Sequence, residues 1–162
     1  MNKEITNTSG KGYFGGGYDF NADINALDGI HFTNQTSYSV SAMLVQARNS
    51  LTSVQSTLCG YFGGGSYQGK NSTKIEKFSF PDEAFLSLFS TLSVARQGIT
   101  GTQSSDQGYW AGGWSSDVFY QIDRQQFSTE QTSQLHLALC VGKGYSTSVS
   151  NNINGYFGGG FN

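Results

Sequence analysis

A six-residue phrase, Gly-Tyr-Phe-Gly-Gly-Gly, begins at Gly12, Gly60 and Gly155, and a variant, Gly-Tyr-Trp-Ala-Gly-Gly, begins at Gly108. The steps between them are 48, 48 and 47 residues. A period near fifty residues that contains strand-like segments specifies a repeat architecture. Within the phrase, Tyr and the following Phe or Trp point to opposite faces of a strand, so each glycine-phrase strand is apolar on both sides and has to be sandwiched. One repeat cannot bury both of its faces. The repeats must therefore stack, and the working surface is whatever the loops build on the stack.

Counting back from the first Gly of each phrase aligns the linking segments. Leu27, Ile75 and Ile122 stand 33 residues before it, Phe32, Phe80 and Phe127 stand 28 before, and Leu44, Leu92 and Leu139 stand 16 before. Arg48, Arg96 and Lys143 follow at 12 before, then Thr52, Thr100 and Thr147 at 8 before. The segments are short and alternating. Leu27 to Phe32, Ile75 to Phe80 and Phe119 to Phe127 read as strands of period two, each ending in turn formers such as Pro81-Asp82-Glu83. A second strand carries the shared Leu, a third spans Leu51 to Gln55, Ile99 to Thr102 and Ser146 to Val149, and the phrase strand is the fourth. No segment reads as a helix.

Stacked four-stranded blades around an axis satisfy this pattern, because each blade has a neighbour on both faces. The pairs Tyr13/Phe14, Tyr61/Phe62, Tyr109/Trp110 and Tyr156/Phe157 are then packing between blades, with the glycine-phrase strands near the axis. Gly64-Gly65, the strand Ile75 to Phe80 and Leu92-Ser93-Val94-Ala95-Arg96 together resemble the kelch repeats of β-propellers, over nearly the whole chain. A typical kelch blade has a tryptophan on its outer strand, and this chain has none there. The Tyr-Phe-Gly-Gly-Gly variant is similar to repeats of bacterial and phage surface or virion proteins. The resemblance implies an all-β fold of kelch-like blades in one repeat domain over residues 1–162. It implies no reaction, since function resides in grafted sites.

Ile5-Thr6-Asn7-Thr8 resembles Ile99-Thr100-Gly101-Thr102, which gives about three and a half repeats. Propellers close with four to eight blades. Copies of the chain can close a ring together, one chain can close as a small four-bladed ring, or the chain can be one piece of a longer series. Assembly through the repeat ends is the most economical, because an open half blade exposes a strand edge.

Charged residues make up 12% of the chain, the net charge is −2, and no basic stripe offers itself to nucleic acid or to a membrane surface. The start lacks the apolar run of a classical secretory signal, and no stretch is long enough to span a bilayer. Two cysteines, Cys59 and Cys140, occupy unrelated repeat positions and read as buried free thiols.

His31 and His136 are also unrelated, and no set of metal ligands, nucleophile elbow or phosphate loop is present, so neither catalysis nor a cofactor is expected. Asp19, Asn21 and Asp23 alternate as calcium loops begin, but without the glycine and closing glutamate of such loops they read as turn caps. Arg48 and Arg96 recur with the blade, which points to hydrogen bonds onto neighbouring carbonyls.

The loops after the glycine phrases (residues 18–26, 66–74 and 114–118) vary most, and variable loops on a rigid scaffold carry binding. Tyr18, Tyr67 and Trp114, with Asp19 and Asp23 beside them, are the candidate ligand or partner contacts. The expectation is a non-enzymatic structural or interaction protein of a virion or extracellular surface assembly, partnered by itself or by larger protein structures. A carbohydrate-binding module for surface glycans is the alternative, with those aromatics stacking on sugar rings.

Overall fold

The repeat resolves into antiparallel sheets. The computed structural model describes residues 10–86, 88–151 and 153–162, and among these there is no helix. The first sheet is β1 (Lys11–Gly15), β2 (Leu27–His31) and β3 (Thr36–Val40). The second orders β4 (Thr52–Gln55), β5 (Cys59–Gly63), β8 (Ile75–Ser79) and β9 (Ala84–Leu86), with a small hairpin of β6 (Ser66–Tyr67) and β7 (Lys70–Asn71) in the loop between. The third repeats that order with β10 (Thr100–Gln103), β11 (Gln107–Ala111), β12 (Gln121–Gln126) and β13 (Thr132–Ala138). The fourth holds β14 (Thr147–Ser150) and β15 (Gly155–Gly158). The stretch Ile5 to Thr8, read as a first strand, lies outside the described residues.

Register follows the repeat. Phe14 faces Asp28 across the β1/β2 ladder, Phe62 faces Glu76 in β5/β8, and Trp110 faces Asp123 in β11/β12. Side chains of a directly opposed pair share a face, so Phe14, Phe62 and Trp110 each have an acid beside them. The strands that pack in series from sheet to sheet are the first ones, β4, β10 and β14, and in these three sheets the glycine strand is the next one along. The shared leucines differ from expectation. Leu44, Leu92 and Leu139 fall just past β3, β9 and β13, where the chain crosses to the next sheet, and their amides bond Asn25 O, Thr73 O and Tyr120 O. Irregular backbone there lets each side chain drop between two sheets.

The core lies between sheets. Leu27, Val40, Leu44, Phe62 and Phe78 fill the space between the first and second, and Val54, Tyr61, Ile75, Leu92, Ile99 and Trp110 that between the second and third. The phrase tyrosine looks forward: Tyr13 stacks on Phe80 (5.5 Å between centroids, planes 7° apart) and Tyr61 on Phe127 (5.3 Å, 11°). The phrase Phe or Trp looks back. A Cβ on Gly63 would sit 2.7 Å from the Trp110 ring, so glycine is what admits the indole.

The phrase aromatics are not all packed between sheets, however. Phe62 is 6% exposed and Trp110 0%, but their counterpart Phe14 is 67% exposed; Tyr61 is 2% exposed, but Tyr156 is 57%. No described sheet covers the back of the first sheet or the front of the fourth. Cys59 is half-buried, and Cys140 is exposed rather than buried, since the connector turns it outward beside Leu139.

The same aromatic position thus carries different weight in different repeats. Phe62→Ala should destabilise by about 3–5 kcal/mol and Phe14→Ala by less than about 0.5 kcal/mol, as read from urea unfolding midpoints. Equal losses would show that the back of the first sheet is covered.

Candidate functional site

Three groups of side chains carry the polar chemistry of the fold: the buried arginines, a glutamate clamp between sheets, and the loops after the glycine phrases. Arg48 and Arg96 are fully buried. Arg48 Nη1 donates to Gly64 O (2.7 Å) and Lys74 O (3.0 Å), and Nη2 donates to Glu76 Oε1 (2.8 Å). Arg96 Nη2 donates to Trp110 O (3.2 Å) and to Asp123 Oδ2 (2.9 Å).

The acids also hold the crossing connector. Val45 N donates to Glu76 Oε2 (2.6 Å), and Ser93 N donates to Asp123 Oδ2 (3.1 Å). Burial pulls both guanidinium pKa values down and the paired acid opposes that, yet an arginine stays charged in any such setting. Both guanidinium groups thus bind backbone carbonyls as well as an acid. The acids were missed, although Asp28, Glu76 and Asp123 recur 32 residues before their phrases. Strand alternation set Glu76 opposite Ile75 and so on an apparently solvated face, whereas both faces of an inner sheet are buried.

Glu83, in the turn between β8 and β9, reaches back to the first sheet. Its Oε1 accepts from Lys11 Nζ (2.6 Å), Tyr38 Oη (2.8 Å) and Tyr13 Oη (2.9 Å). The Lys11 hydrogen bond, then that of Tyr38, holds the Glu83 carboxyl below its ordinary pKa, while Glu83 raises that of Lys11 and burial pushes the Tyr13 phenol up. Glu130 is the counterpart one repeat on and pairs with Lys77. These carboxylates therefore work as clamps from each sheet to the one before it.

The loop candidates lie in successive loops and take different local roles. Tyr18 is exposed and its hydroxyl donates to Phe20 O (3.2 Å). Tyr67 is half-buried in the β6/β7 hairpin. Trp114 is also half-buried rather than exposed, because its amide and carbonyl exchange hydrogen bonds with Gln97 and Asn71 Nδ2 donates to its carbonyl. Asp19 Oδ1 accepts from the amides of Asn21 (3.0 Å) and Ala22 (2.9 Å), and the Ala22 bond leads in lowering its pKa. Asp23 ties two loops together: its Oδ1 accepts from Asn49 Nδ2 and its Oδ2 from Gln68 N (2.7 Å). Among the described residues no three His, Cys, Asp or Glu side chains converge as a metal site.

No family model matches the sequence, and no curated protein resembles it closely enough to count as a relative.

Two outcomes follow from these contacts. Glu76→Ala strands the buried Arg48 charge and should cost roughly 3–5 kcal/mol, with the double variant Arg48→Met/Glu76→Leu recovering much of it. Denaturant titration of the two variants checks this, and a double variant as unstable as the single one would contradict it.

Glu83 has a folded pKa below its unfolded one, so its contribution is present above the unfolded value and fades as pH falls through the folded value. Between about pH 6 and about pH 3, the melting temperature of wild type should drop further than that of Glu83→Gln. Parallel curves would mean that the clamp does not form in solution.

Proposed function

We propose that this chain is a non-catalytic interaction scaffold, a β-propeller-type stack of kelch-like blades that takes its place in a larger assembly such as a virion or an extracellular surface structure. The observation that carries the reading is the contrast between equivalent residues. The outward faces of the first and fourth sheets present the aromatics that inner sheets bury, Phe14 where Phe62 and Trp110 are covered and Tyr156 where Tyr61 is covered. An apolar surface of this composition on an otherwise polar chain marks a place of contact with another polypeptide. Two four-stranded antiparallel meanders in face-to-face order, with β4, β10 and β14 in series, support the blade arrangement. The polar networks support a structural role, since the arginines and the clamp carboxylates are engaged by partners within the fold.

Sedimentation and native mass measurement test this reading, on the purified chain at micromolar concentration and on extracts of its natural source. The chain should migrate as part of a larger species in at least one of the two, and Tyr156→Asp should shrink that species. A lone 17.5-kDa particle in both settings would overturn the proposal.

A further inference from the structure

The fourth sheet lacks three things that the second and third possess, and all three fall at one place. The outer edge of β5 holds β8 and that of β11 holds β12, whereas β15 pairs only with β14 among the described residues. Tyr13 and Tyr61 are each roofed by a phenylalanine of the following sheet. Over Tyr109, one repeat later, there is instead a cleft of about 230 Å³ whose walls include Ile122, Leu135, Leu137, Ile153 and Phe157. Arg48 and Arg96 each have a buried acid. Lys143 occupies the same backbone setting, with its carbonyl accepting from Gly113 N (2.7 Å) as those of Arg48 and Arg96 accept from Gly17 N and Gly65 N, but makes no ion pair among the described residues.

Resting on the scaffold reading above, we propose that the β15 edge and its cleft are a strand-acceptor site for an extended segment of one chemistry: an aliphatic residue, an acid directly after it, and a phenylalanine four positions beyond the acid. That is the pattern of Leu27-Asp28 with Phe32, Ile75-Glu76 with Phe80, and Ile122-Asp123 with Phe127. The internal ladders fix the register. Glu76 lies opposite Phe62 and Asp123 opposite Trp110, so the incoming acid lies opposite Phe157 and meets Lys143. The incoming phenylalanine enters the cleft and stacks on Tyr109, as Phe80 does on Tyr13. Strand addition of this kind draws affinity from the main chain and selectivity from the alternate side chains.

The probe is a synthetic peptide of residues 73–82 from the second repeat, titrated into the whole chain. It should bind one to one and saturably below about 1 mM, slowing hydrogen exchange at the Gly155 and Phe157 amides, which face away from β14. A Glu76→Lys peptide should bind about tenfold more weakly, as should the original peptide to Lys143→Glu protein, and the two changes combined should restore binding. No saturation, or equal affinity in all four combinations, overturns the site.

Self-association of the chain that the peptide dissolves also supports it, with a second copy as the strand donor. Self-association that the peptide leaves intact, with β15 amides still exchanging, overturns it. A chain that assembles but ignores the peptide removes this inference alone. A chain that takes the peptide yet sediments singly everywhere removes the scaffold reading and leaves the site.

Discussion

The structure depends on how each chain crossing from the outer strand of one sheet to the first strand of the next is held. That crossing is irregular backbone in a buried place, where unpaired amides and carbonyls are costly. The guanidinium of Arg48 satisfies carbonyls of Gly64 and Lys74 at once, and Glu76 both neutralises it and accepts the Val45 amide. Arg96 and Asp123 repeat the solution with fewer bonds, leaving Asp123 Oδ1 without a partner, while the Nε of both arginines is unpartnered. Such a pair contributes little net stability against an apolar replacement, but it enforces one register of connector on sheet. Everything that packs between sheets inherits that register.

Backbone geometry repeats even where side chains do not. Ser50, Gly98 and Tyr145 occupy one repeat position and all have left-handed φ, at 52°, 58° and 53°. They form a chain of bonds along the stack, Gly98 N to Ser50 O and Tyr145 N to Gly98 O, both 2.8 Å. The phrase glycines do the complementary work: Gly16 and Gly64 have φ of 76° and 65°, and a Cβ there would lie 2.6 and 2.9 Å from the carbonyls of Arg48 and Arg96. Glycine is required at these positions because the connector of the following repeat passes directly over them.

The all-β content and its division into short antiparallel strands were legible in the sequence, because glycine punctuation and alternation encode them locally. The acid partners were not, although they recur as regularly as the arginines. Alternation reports which face a residue occupies but not whether that face is covered. The same limit explains Phe14 and Tyr156, whose sequence context matches that of buried aromatics while their surroundings differ. It explains Trp114 as well: an indole one step past a glycine phrase reads as a loop-tip contact, and only the backbone exchange with Gln97 shows it drawn down onto the neighbouring segment. The candidate loop residues share a region of sequence pattern, but Asp19 is used in a turn and Asp23 in a tie between loops, roles set by partners 2 to 45 residues away.

An unpaired strand edge is ordinarily a route to indiscriminate pairing, and proteins limit it by keeping edges short or interrupting them. β15 is four residues long, and past it Gly159 and Gly160 turn away with φ of 69° and 85°. Main-chain hydrogen bonds over so short a ladder are too few to hold an arbitrary strand. Selectivity then falls to what lies beside the ladder: one cation at Lys143, and one cleft of aromatic width over Tyr109. Lysine here in place of arginine fits that role, since a compact ammonium needs a single acid rather than the fixed set of carbonyls and carboxylate that a planar guanidinium engages. The short edge limits promiscuous pairing, and the charge and the cleft define the strand that pairs.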